Sequence, residues 1–514
     1  RSQMMSERSS ARGEQKSARS QMMSENSSAR GQQNSARAQQ KRQNVVFDPR
    51  AAEILLNMGP FKFKGRGKGK VFDPIVDDAA TALIQAGRPQ FLDIYGDRIE
   101  EDFLENTWRE YNGQALEAGL TMMKDIGEIP VRLVDARFLI ELANRDGRLP
   151  RRQDMPEEVF ISLEDLKRFP PGGRYGDCLR VISVSHMWQQ PDHPDPQSVN
   201  LRLLANMLTA FLKHSGGTYA VFFDYLSIHQ KGRNLEERTR RENAIFGVAL
   251  KNVMQWYAHP KTLTLQMTRL PDDYPKDFFF PAGTEANLAS YFERAWCFCE
   301  ASVSNFVKDR LILLDLDKFS SAEGNGNLND IMVKCIATRL PPLSPEEFNS
   351  ALDKKHFSSR LTEFNYLCNQ YQSSFEAHMS AATELRFDLL GWGDNEIIVL
   401  AKTCSTGELK NLKSLSLQQN KIGDPGCTAL VEACAALPDL AVLDLRANQI
   451  GGAGCAALAQ ACAAGLLPNL EELHLSENQV GDAGCIAFAQ ACTKGALPNL
   501  KKLGLHRMKI GDNG

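Results

Sequence analysis

Residues Tyr291-Phe-Glu-Arg-Ala-Trp-Cys-Phe-Cys-Glu300 carry a carboxylate in an unusual position. Read as a helix, the segment aligns Trp296, Cys299, Val303 and Phe306 at i, i+3, i+7 and i+10 on one apolar stripe. Glu300 lies one turn after Trp296, at the margin of that stripe. Its neighbours three and four residues away, Trp296, Cys297, Val303 and Ser304, include no cation. Such a carboxylate is costly unless its head reaches water or a site uses its charge. Other constellations offer less chemistry. His186, His193 and His229 have no pairwise metal-ligand spacing, so no metal is expected and they read as solvated or capping residues. Cys297 with His186 would form a Cys–His nucleophile only with a third orienting group, which the sequence does not reveal. Asp224 either binds a ligand or caps the turn into Leu226–Gln230.

The elements that must position these groups begin after Phe169-Pro-Pro-Gly-Gly173, the clearest boundary in the chain. Leu179–Ser185 reads as a strand and Val199–Phe211 as a helix. Tyr219–Tyr225 is a second strand, apolar enough for burial on both faces. Glu236–Tyr257 reads as one helix stopped by His259-Pro260, and Thr262–Met267 as a third strand. The helix of Glu300 follows, then a strand at Leu311–Leu316. This βαβαβαβ order predicts an α/β, doubly wound parallel sheet with ligands at the carboxyl ends of its strands.

Ser185-His-Met-Trp188 follows the first strand, Asp224-Tyr-Leu-Ser-Ile-His-Gln230 the second, and Trp296-Cys-Phe-Cys-Glu300 lies on the third helix. In this order Ser185, Trp188, Asp224, Ile228, Gln230, Arg294, Trp296 and Glu300 resemble the three motifs of the heterokaryon-incompatibility (HET) family, with His229 where that family has Asn. The third motif is equally similar to one in plant Toll/interleukin receptor (TIR) domains. The segment Gln190–Pro196 and the aromatic residues 278–280 depart from the pattern. The resemblance implies a flavodoxin-like fold in which Glu300 is catalytic and NAD is the substrate. It further implies that Ser185, His186, Trp188, Asp224, Gln230 and Trp296 surround the bound NAD. A lone carboxylate suits that reaction. Positive charge develops on the ribose as the N-glycosidic bond breaks, and nicotinamide departs neutral without a general acid. The alternative is a non-catalytic adaptor whose α/β domain self-associates.

The most regular pattern lies further on. Leu415-x-Leu417-x-x-Asn420-x-Ile422-Gly423 recurs as Leu443, Leu445, Asn448, Ile450, Gly451 and as Leu473, Leu475, Asn478, Val480, Gly481. A fourth copy begins at Leu503 and Leu505, with Met508 in place of Asn. This period identifies leucine-rich repeats resembling the ribonuclease-inhibitor type, an α/β solenoid. Leu385, Phe387, Trp392, Gly393, Asp394 and Cys404 form a degenerate copy suited to capping the open end. Cysteine pairs at 427/434, 455/462 and 485/492 are expected on the core-facing side of each repeat helix. A protein ligand is expected on the concave strand face.

Residues 1–44 hold an imperfect tandem copy, RSQMMSERSSARGEQKSA and RSQMMSENSSARGQQNSA, with nine Lys/Arg against three Glu. That segment is expected to be a disordered basic tail. With a net charge of −3 overall, the remaining 470 residues sum to −9, which argues against nucleic acid as a partner. The expected organisation is the tail at 1–44, a mainly helical region at 45–176 and a HET/TIR-like domain at 177–318. A helical connector at 319–384 and the repeats at 385–514 complete it. A basic glycine-rich stretch between Phe61 and Lys70 lacks Walker spacing and reads as a loop. No apolar run has the ~18 residues of a membrane span, and no secretory h-region is present. Twelve Cys without a C-x-x-C pair fit a reducing, cytoplasmic setting. Starting at Arg1 and stopping inside a repeat, the chain reads as truncated at both ends.

Overall fold

The computed structural model describes residues 130–161, 179–509 and 511, apart from 216–217, 232–235, 252, 277, 281–283 and 321–327. Before them it describes two short antiparallel pairs, Phe63–Lys64 with Val71–Phe72 and Phe91–Leu92 with Arg98–Ile99. The expected disordered tail lies outside the described residues, as does most of the region expected to be helical. All described elements belong to one compact unit, Asn57–Gly514.

Five strands form the sheet that carries the site: β1 (Val134–Asp135), β2 (Leu179–His186), β3 (Thr218–Phe223), β4 (Leu263–Met267) and β5 (Leu313–Asp315). Their spatial order is β1-β3-β2-β4-β5, parallel throughout except for β1. Residues N-terminal to 177 therefore supply an edge strand to this sheet. Helix α1 (Ala136–Asn144) follows β1 directly, capped by Asp135. Side chains alternate across each strand. Val181, Ala220 and Phe222 enter the core with Trp256, Tyr257 and Phe298, while their sequence neighbours Ile182, Val221 and Phe223 are just as buried. Burial on both faces accounts for the unbroken apolar run of β3.

The crossovers are α2 (Val199–Ser215) between β2 and β3, then α3 (Asp224–Ser227), α4 (Arg240–Lys251) and α5 (Gln255–Ala258) before β4. The second strand ends two residues earlier than expected, because Asp224 opens the single turn α3. The helix expected over Glu236–Tyr257 is two helices, with turns at 253–254 between them. Helix α6 (Ala295–Ser304) carries Glu300 and is buried on almost every side. One reason is the connecting region. Its helices α7 (Leu328–Lys334), α8 (Pro345–Leu352) and α9 (Arg360–Ala381) do not merely link two bodies. Phe298 of α6 stacks on Phe348 of α8, and Phe306 meets Tyr371 and Phe375 of α9.

The repeats follow as strands β6 (Glu384–Arg386), β7 (Ser414–Ser416), β8 (Val442–Asp444), β9 (Glu472–His474) and β10 (Lys502–Gly504), all parallel. Register stacks Leu385, Leu415, Leu443, Leu473 and Leu503. Helices α10 (Asp394–Cys404), α11 (Asp424–Ala433), α12 (Gly452–Ala463) and α13 (Gly481–Thr493) cover the other side. The asparagines form a buried ladder. Asn448 Oδ1 accepts from Ile422 N–H, and its Nδ2 donates to the Leu417 and Leu445 carbonyls at 3.0 Å each.

Two expectations about the solenoid need correction. The degenerate first repeat does not cap an open end. The Arg339 guanidinium donates to the Arg386 and Asn305 carbonyls (3.0 Å each), and the Trp392 indole donates to the Arg339 carbonyl at 2.9 Å. The connector therefore covers that end. The cysteines are core-facing in α11 and α12, but in α13 Cys485 is half-buried and Cys492 exposed. Among the described residues no further helix packs beyond α13 to bury them. No helix of the described residues is long and apolar enough to cross a membrane.

Candidate functional site

The carboxyl ends of β2 and β3 and the first two turns of α6 converge on a cavity of about 250 Å³. His186, Trp188, Asp224, Gln230, Trp296 and Glu300 all line it. Of the residues expected at a ligand, Ser185 alone stands behind the wall, fully buried beneath Glu300. Residues 36 to 115 positions apart are thus brought together by the parallel sheet, because β2 and β3 are neighbours and α6 packs over β2.

Glu300 is held from below. The Ser185 hydroxyl donates to Glu300 Oε2 at 2.5 Å, and Ser185 Oγ lies 2.5 Å from the Tyr291 hydroxyl. One consistent proton arrangement runs Tyr291 O–H to Ser185, and Ser185 O–H to the carboxylate. Burial drives the Glu300 carboxyl up to about 8, and the nearby Asp224 charge adds to this. The hydrogen bonds from Ser185 and Tyr257 oppose it without cancelling it. Its raised proton affinity and its place in the cavity wall make Glu300 a candidate functional group.

Asp224 faces it across the cavity. Its Oδ2 accepts from the Trp188 indole at 3.0 Å, and its Oδ1 accepts from the Tyr225 N–H. Asp224 is the first residue of α3, whose N-cap is Phe223, and it lines the cavity. His186 Nε2 is 3.8 Å from Asp224 Oδ1, too far for a hydrogen bond, and has no partner although the ring is buried. Burial lowers its pKa, against the pull of Asp224, so the ring is neutral. Gln230 serves the loop: its amide donates to the Asp224 and Ile228 carbonyls, at 3.0 Å each. Trp296 is half-buried, its ring 5.7 Å from that of Tyr366 on α9. It is therefore part of the cavity wall and not of the deep stripe formed by Cys299, Val303 and Phe306.

Several contributors lie outside the residues expected at the ligand, although Arg294 belongs to the third motif. Tyr291 sits in the turn before α6, where Ser290-x-x-Glu293 is a helix-start pattern that points to it. Arg294 donates to the carbonyls of Ala289, Trp188 and Asn287, fixing the loop over the cavity. His356 and Ser358 reach the wall from the connector, whose strand-like bridge to Arg294 no local sequence pattern announces. Cys297 is no nucleophile here. Burial raises its thiol well above the ordinary range, and it contacts the His186 carbonyl and not the imidazole. Among the described residues no group of three or more His, Cys, Asp or Glu could hold a metal ion.

Comparison with curated proteins gives no match. A family model for the Leucine Rich repeat matches residues 408–431, 437–459 and 467–489, which fall on α11, α12, α13 and the strands before them. The chain thus carries leucine-rich repeats, a surface suited to binding other proteins.

Proposed function

We propose that the cavity is a nucleotide-cleaving site of the HET/TIR kind, taking NAD as substrate, in a protein whose repeats bind a protein partner on their concave face. The observation that carries this reading is the placement of Glu300. It is a buried carboxyl, supported by Ser185 and facing Asp224, at the carboxyl ends of strands in the order β3-β2-β4-β5. That order turns back between β2 and β4, the kind of switch point where open α/β sheets bind ligands, and the cavity lies beside it at the ends of β2 and β3. Trp188 and Trp296 offer flat walls for an aromatic base.

In the proposed reaction the pyridinium-ribose lies over Glu300. Cleavage of the N-glycosidic bond releases neutral nicotinamide and places positive charge on the ribose. The ionised carboxylate stabilises that charge until water adds to the ribosyl carbon and gives up a proton. His186 and Asp224 are placed for the ribose hydroxyls. Because the free carboxyl is largely protonated at neutral pH, a cationic ring entering the cavity favours loss of that proton. Nicotinamide release by the full chain tests this. Glu300→Gln should reduce it by about a hundredfold or more, roughly 3 kcal/mol of transition-state stabilisation, with an unchanged far-UV spectrum. No release by the wild-type chain would sink the catalytic reading.

The repeats favour a second, non-catalytic reading, in which the protein is an adaptor that self-associates through its sheet region. Light scattering over a dilution series decides it: a mass that stays monomeric at all concentrations excludes it.

A further inference from the structure

Arg238 also lines the cavity. Its guanidinium sits over the Phe246 ring, with Cζ 3.4 Å from the ring centroid, and its Nε donates to the His229 carbonyl at 2.7 Å. Those two contacts fix the plane of the fork. Among the described residues its two terminal nitrogens have no hydrogen-bond partner, and the residue lines the cavity. Its acidic neighbours are engaged elsewhere. Glu237 pairs with Lys231 at 2.7 Å, and Glu242 accepts from Thr239 and lies near His229. The other arginine in the wall, Arg294, donates to three carbonyls.

The cavity wall therefore holds the carboxyl groups of Asp224 and Glu300 together with a guanidinium that makes no ion pair within 4 Å among the described residues. A stacked guanidinium with free edge nitrogens matches a phosphate, which it can contact through two parallel hydrogen bonds. A volume of about 250 Å³ falls below the roughly 300–1,000 Å³ of pockets that enclose a drug-sized ligand. It is too small to enclose a whole dinucleotide. We infer that Arg238 is the anion anchor of this cavity, holding the 5′-phosphate of a ribonucleotide whose sugar and base lie toward Glu300. This rests on the nucleotide reading above and adds its substrate class: a 5′-phosphorylated ribonucleotide, with any second nucleotide half outside the cavity.

The test compares binding of two matched pairs to the full chain by calorimetry: nicotinamide mononucleotide against nicotinamide riboside, and AMP against adenosine. The phosphorylated member of at least one pair should bind roughly ten- to a hundredfold tighter, the effect of one charge-assisted contact. Arg238→Gln should erase that preference while leaving the riboside or nucleoside affinity unchanged, and Arg238→Lys should retain part of it. Preference in the AMP pair alone upholds the anchor and overturns the nicotinamide reading. Equal affinities within both pairs for the wild-type chain, or binding of neither, overturn the anchor even where NAD cleavage is observed. A preference that survives Arg238→Gln overturns it too.

Discussion

Burial without a cation gives Glu300 its proton affinity, and this has a sign that can be measured. Its folded-state value of about 8 lies above the ordinary carboxyl range, so the folded chain holds a proton that the unfolded chain has lost. The stability tied to that proton is fully present below the unfolded value and is lost as pH rises through the folded one. Between about pH 5 and 8, Glu300 should lower the unfolding free energy by about 1.4 kcal/mol per pH unit. Denaturant unfolding of wild type and Glu300→Gln across that window checks this: the difference between them should vary with pH and flatten above pH 8. The proposed cleavage should show the same group. In that reading the rate at low substrate climbs about tenfold per pH unit until near pH 8, because the reaction as proposed needs the ionised carboxylate. The marginal placement of Glu300 was legible in the local sequence, because helical spacing alone sets it at the edge of a stripe. Of its neighbours, Ser185 was reached through the family resemblance alone and the Tyr291 hydroxyl was not. Ser185 and Tyr291 meet only through the sheet, 106 residues apart, and no local period encodes that contact.

Among the elements, the repeats were the most legible, since each strand–helix unit repeats its own packing chemistry every 28 or 30 residues. A buried asparagine is what the pattern demands, and the ladder satisfies both ends of each amide. Asn448→Leu would leave the Ile422 N–H without its partner and take one of two donors from each of the Leu417 and Leu445 carbonyls, which Asn420 and Asn478 also reach, and should cost roughly 1–3 kcal/mol in thermal or denaturant unfolding. One irregularity breaks the series. Asp394 and Asp424 each accept from two N–H groups of the following repeat, Gly423 with Gly426 and Gly451 with Gly454. At the equivalent next position stands Gly452, and there Gly481 adopts φ +61°. There the Gly481 N–H donates instead to the Met508 carbonyl, and a Cβ at Gly452 would stand 3.2 Å from the Val480 carbonyl oxygen, so Gly452→Asp should loosen this turn. Faster amide exchange at Gly481 and Gly484 would register it, and unchanged exchange would count against the close approach. The sheet was legible in outline, because alternating apolar runs and helices imply parallel pairing. The split between α4 and α5, and the edge strand β1, depend on packing that a one-dimensional pattern does not record.

On the scale of the molecule, one hydrophobic cluster runs from Val131 through α6 and α9 to Met508. The boundaries drawn at 318 and 384 fall inside that cluster, so residues 177–318 alone would expose Phe298 and Phe306 where α8 and α9 now cover them. Heating the full chain should therefore give a single transition for the sheet and the first repeats, recorded by near-UV and far-UV signals together. Arg339→Met should lower it, because the Asn305 and Arg386 carbonyls would lose their buried donor, and resolved transitions would show how much of the cooperativity passes through that residue.

Arg339 also makes the site and the solenoid thermodynamically answerable to each other. Asn305, which it holds, caps the helix of Glu300 five residues further on, about 7.5 Å along the axis. Arg386, at its other hand, belongs to the first repeat strand. If filling the cavity shifts or stiffens α6, the strain or order it imposes reaches β6 through one side chain, and linkage requires the reverse effect to be equal in free energy. Nicotinamide mononucleotide held in the cavity should then slow amide exchange in β6 and β7, which it does not touch. In the Arg339→Met chain that distant protection should vanish while protection around Glu300 remains.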